Sequence, residues 1–380
     1  MRFLFASDSF KGSLSSDRTI TLLTDAAKEV FGDVECIGVP VADGGEGTVN
    51  ALVKAENGSL IREEVNDPLM RPVAAEYGRL DECRAVIEMA SASGLTLISN
   101  ELRNPLNTTS FGTGELIRRA LDADFRDITV AIGGSATNDG GMGCARALGV
   151  RFLDGNGNEL EGRGRDLIKV SKIDLSGMDK RIADTKITVM CDVNNPLCGE
   201  RGATYTFGPQ KGADEEALEQ LEAGMRNYRD VIRRQFDIDP DAIKGAGAAG
   251  GLGTALKVFL GGEMKPGIDT VLDLIDFDRR LEGIDLVITG EGRADVQSCY
   301  GKVMQGVAKR AKAKGIPVVG LCGSLGDGYE KLYEYGIDSL MTTLKAPMLL
   351  EEAMENAQEL YYDAAVRMFR LIKTGMNIRV

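Results

Sequence analysis

Val130-Ala131-Ile132-Gly133-Gly134-Ser135-Ala136-Thr137-Asn138-Asp139-Gly140-Gly141 decides the reading of this chain. An apolar run breaks abruptly into glycines, hydroxyls, an amide and a carboxylate. A second such break follows at Leu286-Val287-Ile288-Thr289-Gly290-Glu291-Gly292-Arg293-Ala294-Asp295. Buried strands ending in this chemistry place polar groups at the mouth of a sheet, which is where open α/β sheets bind ligands. Glycine lets backbone N–H groups approach an anion closely. Carboxylates suit a hard cation such as Mg²⁺. The pattern points to an enzyme that handles phosphate.

Working outward, residues 2–7 and 34–39 read as strands, with an amphipathic helix between them capped at Ser15 or Ser16. Asp43-Gly44-Gly45-Glu46-Gly47 turns the chain into a further helix. Residues 73–80, 84–90, 128–132 and 186–192 read as strands of a middle region. Residues 214–236 carry a helical stripe of apolar residues that belongs in a core. From residue 285 the alternation resumes, with strands at 285–289, 317–322 and 337–342 and a helix near 302–314. A closing helix carries Leu350, Met354, Ala357, Tyr361, Ala364, Met368 and Leu371 on one face. Each flank has too few strands for a sheet of its own. The two ends are therefore predicted to share one sheet, with the middle inserted.

The chain has 380 residues, enough for two domains. It carries 45 basic and 58 acidic side chains, a net charge of −13, which argues against nucleic acid or an anionic membrane as partner. Tryptophan is absent, so aromatic platforms for single strands are not expected. Seven cysteines without a Cys-x-x-Cys pair, and no histidine, argue against a zinc site or a disulfide framework. The apolar run at the amino terminus is too short for a signal peptide, and no run reaches the length of a membrane span. A cytoplasmic protein is expected. The sequence carries no signal for oligomeric state.

The carboxylates Asp8, Asp43, Glu46, Asp139, Asp192, Glu291 and Asp295 all stand at or just beyond a predicted strand end. A single such residue is commonly a cap or turn former. Seven in equivalent positions point to more, with two or three expected to be caps. Phosphoryl transfer needs metal ligands, a carboxylate at the attacking hydroxyl, and cations on the moving phosphate. Lys11, Arg293 and Lys302 follow strand ends and could supply those cations. Gly245-Ala246-Gly247-Ala248-Ala249-Gly250 fits G-x-G-x-x-G, but Asp237 to Lys244 is charged and contains Pro240, so no strand leads into it. Dinucleotide binding is rejected. Close helix packing and an anion site remain as its two readings. No Walker A sequence occurs, and a kinase H-R-D loop is impossible without histidine.

With these residues in view, the chain resembles the bacterial glycerate kinase family, of the glycerate 2-kinase type. The matching segments begin with Ser7-Asp8-Ser9-Phe10-Lys11-Gly12-Ser13-Leu14, Pro40 to Thr48 and Glu88 to Leu95. They continue with Thr108 to Glu115, Gly133 to Gly141, Cys191 to Leu197, Phe207 to Gly212, Gly245 to Gly253 and Thr289 to Asp295. The resemblance implies ATP-dependent phosphorylation of D-glycerate with ATP and Mg²⁺. It also implies an α/β fold: a Rossmann-like domain from 1–64 and 285–380, with a second α/β domain inserted at 65–284. Family members commonly carry histidine where this chain has Tyr300, so the proton acceptor here is a carboxylate, a lysine or water. Asp192 and Asp295 are candidates for metal binding or hydroxyl orientation. Ser135, Thr137 and Asn138 are candidates for phosphate or glycerate hydroxyls, with Asp139, Asn194, Asp8, Asp43, Glu46, Glu291 and Lys302 as further substrate or nucleotide contacts. Lys11 and Arg293 are expected in catalysis. The planar fork of Arg293 suits the glycerate carboxylate or the transferring phosphate. A Mg²⁺-dependent phosphatase and a non-catalytic nucleotide or metabolite sensor are the rival readings.

Overall fold

The computed structural model describes residues 1–45 and 47–378, so Glu46 lies outside the described residues. Two compact units divide the chain: Met1–Asp43 with Gly267–Val380, and Gly44–Pro266.

In the first unit the strands Arg2–Phe5, Glu35–Gly38, Leu286–Thr289, Val318–Cys322 and Ser339–Thr342 form one parallel sheet. Across it the order is Ser339–Thr342, Val318–Cys322, Leu286–Thr289, Arg2–Phe5, Glu35–Gly38. Numbered by their sequence in this unit, that is 2-1-3-4-5, a doubly wound order. The central strands are continuous apolar runs, as burial on both faces requires. Arg2–Phe5 and Leu286–Thr289 pair directly, with Phe3 opposite Leu286 and Phe5 opposite Ile288. One face packs on the helices Ser16–Phe31 and Ala357–Met376. There Phe369 stacks on Phe3 at 5.7 Å, and Phe31 meets Phe3 edge-on at 5.3 Å. Ser15 caps the first helix by accepting from the Arg18 amide, the bond expected of an N-cap serine.

In the second unit, Glu263–Lys265, Lys186–Met190, Asp127–Ala131 and Arg84–Glu88 run parallel, and Pro72–Arg79 and Ser59–Asn66 extend the sheet antiparallel. Helices Phe111–Asp122 and Glu215–Phe236 bury their apolar stripes in its core. Asp214 caps the latter by accepting from the Ala217 amide.

The units divide at residues 43/44 and 266/267, whereas the sequence alone suggests 64/65 and 284/285. Two packings explain the difference. The helix Thr48–Ala55 lies on the second unit's sheet, with Val49 and Val53 over Gly78, where a β-carbon would meet Val53 at 2.6 Å. The helix Gly267–Leu274 sets Ile268 against Gly306 of the first unit, where a β-carbon would stand 2.4 Å from it. Ser59–Asn66 is a strand the periodicity does not predict. It is an edge strand and carries Arg62, Glu63 and Glu64, charges that discourage edge pairing. The closing helix also breaks at Asn356 into Leu350–Glu355 and Ala357–Met376. Tyr361, Ala364 and Met368 are buried as expected, but Leu350 is 75% exposed and Leu371 64% exposed.

Candidate active site

The topology of the five-stranded sheet fixes where a ligand can sit. Strand order reverses between Arg2–Phe5 and Leu286–Thr289, and at such a switch point the connections leave in opposite directions and open a crevice. Asp8 follows the first of these strands and Glu291 the second. Their backbones stay joined past the strand ends, the Asp8 amide donating to the Gly290 carbonyl at 2.9 Å. Phe10 to Leu14 then folds into a tight turn in which the Phe10 amide donates to the Leu14 carbonyl. Gly12 makes that turn possible at φ +80°.

A cavity of about 610 Å³ opens at this point. Asp8, Asp43 and Glu291 line it together with Lys11, Arg293 and Lys302. Burial pushes the Asp8 carboxyl up to about 6, and the charge of Asp43 adds to that effect. Burial likewise pushes Glu291 up to about 7, partly opposed by Ser298 and Lys302. Glu291 Oε1 is buried without a hydrogen-bond partner, and Lys302 Nζ stands 3.8 Å from Oε2, beyond hydrogen-bonding range. Carboxyls with raised proton affinity in a crevice that also holds cations are a recurrent sign of a working site. Asp295 is tied down differently. It accepts from the Gln297 amide at 2.8 Å as a cap, and it pairs with Arg293 at 3.5 Å. Arg293 is itself exposed.

The other wall is apolar. Phe10, Leu14, Met348, Leu350, Met354 and Tyr361 line it. Tyr361 is buried and meets Phe10 edge-on at 5.3 Å. The aliphatic members were invisible as site residues in the sequence, because helical spacing assigns Leu350 and Met354 to a core.

The remaining candidates lie in the second unit. The Gly133–Gly141 stretch leaves the strand Asp127–Ala131 and turns inward. Thr137, Asn138 and Asp139 are completely buried, and Ser135 nearly so. Asp139 accepts from the Ser110 amide at 2.7 Å, the Ser110 hydroxyl at 2.8 Å and the Gly141 and Gly143 amides at 3.0 and 3.1 Å. Its carboxylate thus holds the start of the helix Phe111–Asp122 to its own loop. Lys211, buried, donates to the Thr137 carbonyl at 2.7 Å. Burial pushes its amine down to about 7, the opposing pull of Asp139 being smaller. Lys211 was not singled out from the sequence, although it sits in the quoted segment Phe207 to Gly212. Asn138 Nδ2 donates to Thr204, while Asn138 Oδ1 and Thr137 Oγ1 are buried without partners. Asp192 and Asn194 are exposed just beyond the strand Lys186–Met190.

The glycine-rich segment 245–251 packs against this same loop. Gly250, at φ +67°, accepts at its carbonyl from the Gly140 amide, and a β-carbon on it would stand 1.9 Å from the Thr137 carbonyl oxygen. Close backbone packing accounts for that glycine.

Known proteins share this chain's sequence and fold over its whole length. The model of the glycerate kinase family matches residues 3–373. The glycerate kinase of Bacillus subtilis (strain 168) is 46% identical over 360 residues, 94% of each chain. The glycerate 2-kinase of Escherichia coli (strain K12) is 44% identical over 379 residues, 100% of this chain and 98% of that one. A crystal structure assigned to glycerate kinase 2 from Salmonella typhimurium LT2 superposes with a TM-score of 0.91 at 43% identity, covering 100% of both chains. With the motifs, the α/β fold and full-length similarity in agreement, this chain belongs to the glycerate kinase family.

Proposed function

We propose that this protein transfers the γ-phosphoryl group of ATP to the 2-hydroxyl of D-glycerate, releasing ADP and 2-phosphoglycerate. The observation that carries the reading is the gathering of Asp8, Asp43, Glu291, Lys11, Arg293 and Lys302 at the switch point of a family member's parallel sheet. In the reaction the bond from the γ-phosphorus to its bridging oxygen breaks, a bond to the glycerate oxygen forms, and the hydroxyl proton must be taken up. The chain has no histidine, so no imidazole can take it. Glu291, raised to about 7, has a proton affinity suited to a general base near neutrality. Lys11 and Lys302 supply charge to the phosphoryl oxygens, and the planar fork of Arg293 suits the glycerate carboxylate. Asp192 and Asn194, exposed at a strand end in the second unit, are proposed as polar ligands of phosphate or hydroxyl groups. Asp139, Thr137, Asn138 and Ser135 act by holding their loop in shape.

Among the described residues no three carboxylate, cysteine or histidine side chains converge on one metal position. That fits magnesium only as an ion carried in by the nucleotide, which needs one or two protein carboxylates beside phosphate and water. Asp8 and Asp43, whose charges repel across the cavity, fit that need and would hold it. Bound there, magnesium supplies charge neutralisation along the phosphates. Asp295, engaged as a cap, serves to hold Arg293. No helix among the described residues is long and apolar enough to cross a membrane. Seven free thiols support a reducing, cytoplasmic setting.

The test is direct. Purified protein with ATP, Mg²⁺ and D-glycerate should yield ADP and a phosphoglycerate, and ³¹P NMR should place the phosphate on the 2-position. ATP consumption that does not require glycerate would support a phosphatase instead.

A further inference from the structure

The cavity of the first unit is walled by two unlike chemistries, and glycerate suits only one of them. Every carbon of glycerate bears oxygen, so the molecule has no face that would cover an aliphatic surface. Yet Leu350 is 75% exposed and Met354 38% exposed, and both line the cavity with Met348. The helical spacing of the closing segment would carry Leu350 and Met354 into the core. The break at Asn356 keeps them out. Apolar surface left in water forgoes about 25 cal/mol per Å² of burial, which a ligand with an apolar face would recover. The wall also bears on the Phe10–Leu14 turn: a β-carbon on Gly12 would stand 2.9 Å from the terminal methyl of Met354. The aliphatic wall and the Asp8–Lys11 stretch therefore belong to one enclosure.

A nucleotide matches that enclosure. It has a flat ring with apolar faces at one end and phosphates at the other. A cavity of about 610 Å³ is of the size that holds such a ligand. We propose that the apolar side of this cavity is the nucleotide subsite, with the purine against Met348, Leu350 and Met354 and the phosphates reaching Lys11 and Lys302. The inference rests on the kinase reading and goes beyond it by assigning the aliphatic wall to the nucleotide and leaving the Glu291 and Arg293 side to glycerate. The sulfur-containing side chains suit the task, since methionine moulds to a flat partner without demanding hydrogen bonds.

The test measures binding without turnover. Leu350→Ser combined with Met354→Ser removes the apolar face and adds no charge, and both side chains are exposed enough to spare the fold. Equilibrium titration with a fluorescent ADP carrying a ribose label should show affinity weakened at least tenfold, with the KM for D-glycerate at saturating ATP within twofold of wild type. Leu350→Met combined with Met354→Leu keeps the face and should bind ADP as wild type does. ADP affinity within twofold of wild type in the serine variant would overturn the assignment, as would a raised glycerate KM with ADP affinity intact. A protein that binds ADP but forms no phosphoglycerate would refute the kinase reading and leave the subsite standing.

Discussion

Replacing Glu291 with glutamine removes a charge that the folded protein holds at a disadvantage. The carboxyl is buried, its Oε1 lacks a hydrogen-bond partner, and its proton affinity rises from the ordinary 4.5 to about 7. The folded chain therefore keeps a proton that the unfolded chain loses between pH 4.5 and 7. The group's contribution to stability is fully present below pH 4.5 and is lost as pH rises through 7. The 2.5 pH units between the two values, at about 1.4 kcal/mol each, set the loss at about 3.5 kcal/mol above pH 8. Glutamine has the same shape and cannot ionise. Glu291→Gln should thus be more stable than wild type at pH 8.5 by up to about 3.5 kcal/mol, with the gap closing towards pH 5. The same change should lower kcat by about 100-fold or more, the scale of losing a positioned base. Urea denaturation at a series of pH values reads the first effect and a coupled ADP assay the second. A stability gap that does not change with pH would refute the electrostatic account. Wild-type turnover in the variant would remove Glu291 from the chemistry.

Wild-type kcat/KM should fall as pH drops below about 7, following Glu291, and the Glu291→Gln variant should lose that limb of the profile. Asp192→Asn and Asp295→Asn should each reduce kcat by about 100-fold if they serve the reaction; steady-state kinetics beside a melting curve would expose either as a turn former only. Asp139→Asn places an amide among four donors in a buried site and should cost about 1–3 kcal/mol by thermal denaturation, with KM changes secondary to that loss. Lys211 is pushed down to about 7 from 10.5, so the unfolded chain holds an extra proton in that window and this group makes stability rise with pH across it. Lys211→Met should abolish that slope in a pH series of melts. Gly250→Ala should cost roughly 3 kcal/mol or more, because the added carbon meets the Thr137 carbonyl and the residue sits at positive φ.

The apolar runs at 130–132 and 286–289 are legible because strands buried on both faces must be continuously apolar, and the polar residues after them then mark the sheet's mouth. The pairing of the two chain ends follows from strand count alone. Ser59–Asn66 escapes such reasoning because an edge strand may be charged where a central one may not. Asp8 and Asp139 look alike in sequence, each a carboxylate after an apolar strand among small residues. Folding separates them: one lines a cavity and the other is enclosed by amides. What decides is the chain that arrives later in sequence, Glu291 and Lys302 for Asp8, and Gly250 and Lys211 for the loop of Asp139. The wall of Met348, Leu350 and Met354 was hidden for another reason. Periodicity reports which face is apolar but not whether protein or ligand covers it.

The pairing of Arg2–Phe5 with Leu286–Thr289 has a consequence during synthesis. The Arg2 amide bonds to Asp285 across 283 positions of chain. At about 5–20 residues per second, the opening strand waits roughly 15–60 s for its neighbour to leave the ribosome. Through that interval Phe3, Leu4 and Phe5 have only the helix Ser16–Phe31 and the Glu35–Gly38 strand beside them. The continuous segment 44–266 meanwhile emerges with all six strands of its own sheet and can close its core first. A nascent chain stalled before residue 286 would carry one finished sheet and, at its oldest end, an apolar strand with one edge unpaired, a natural target for chaperones and a seed for aggregation.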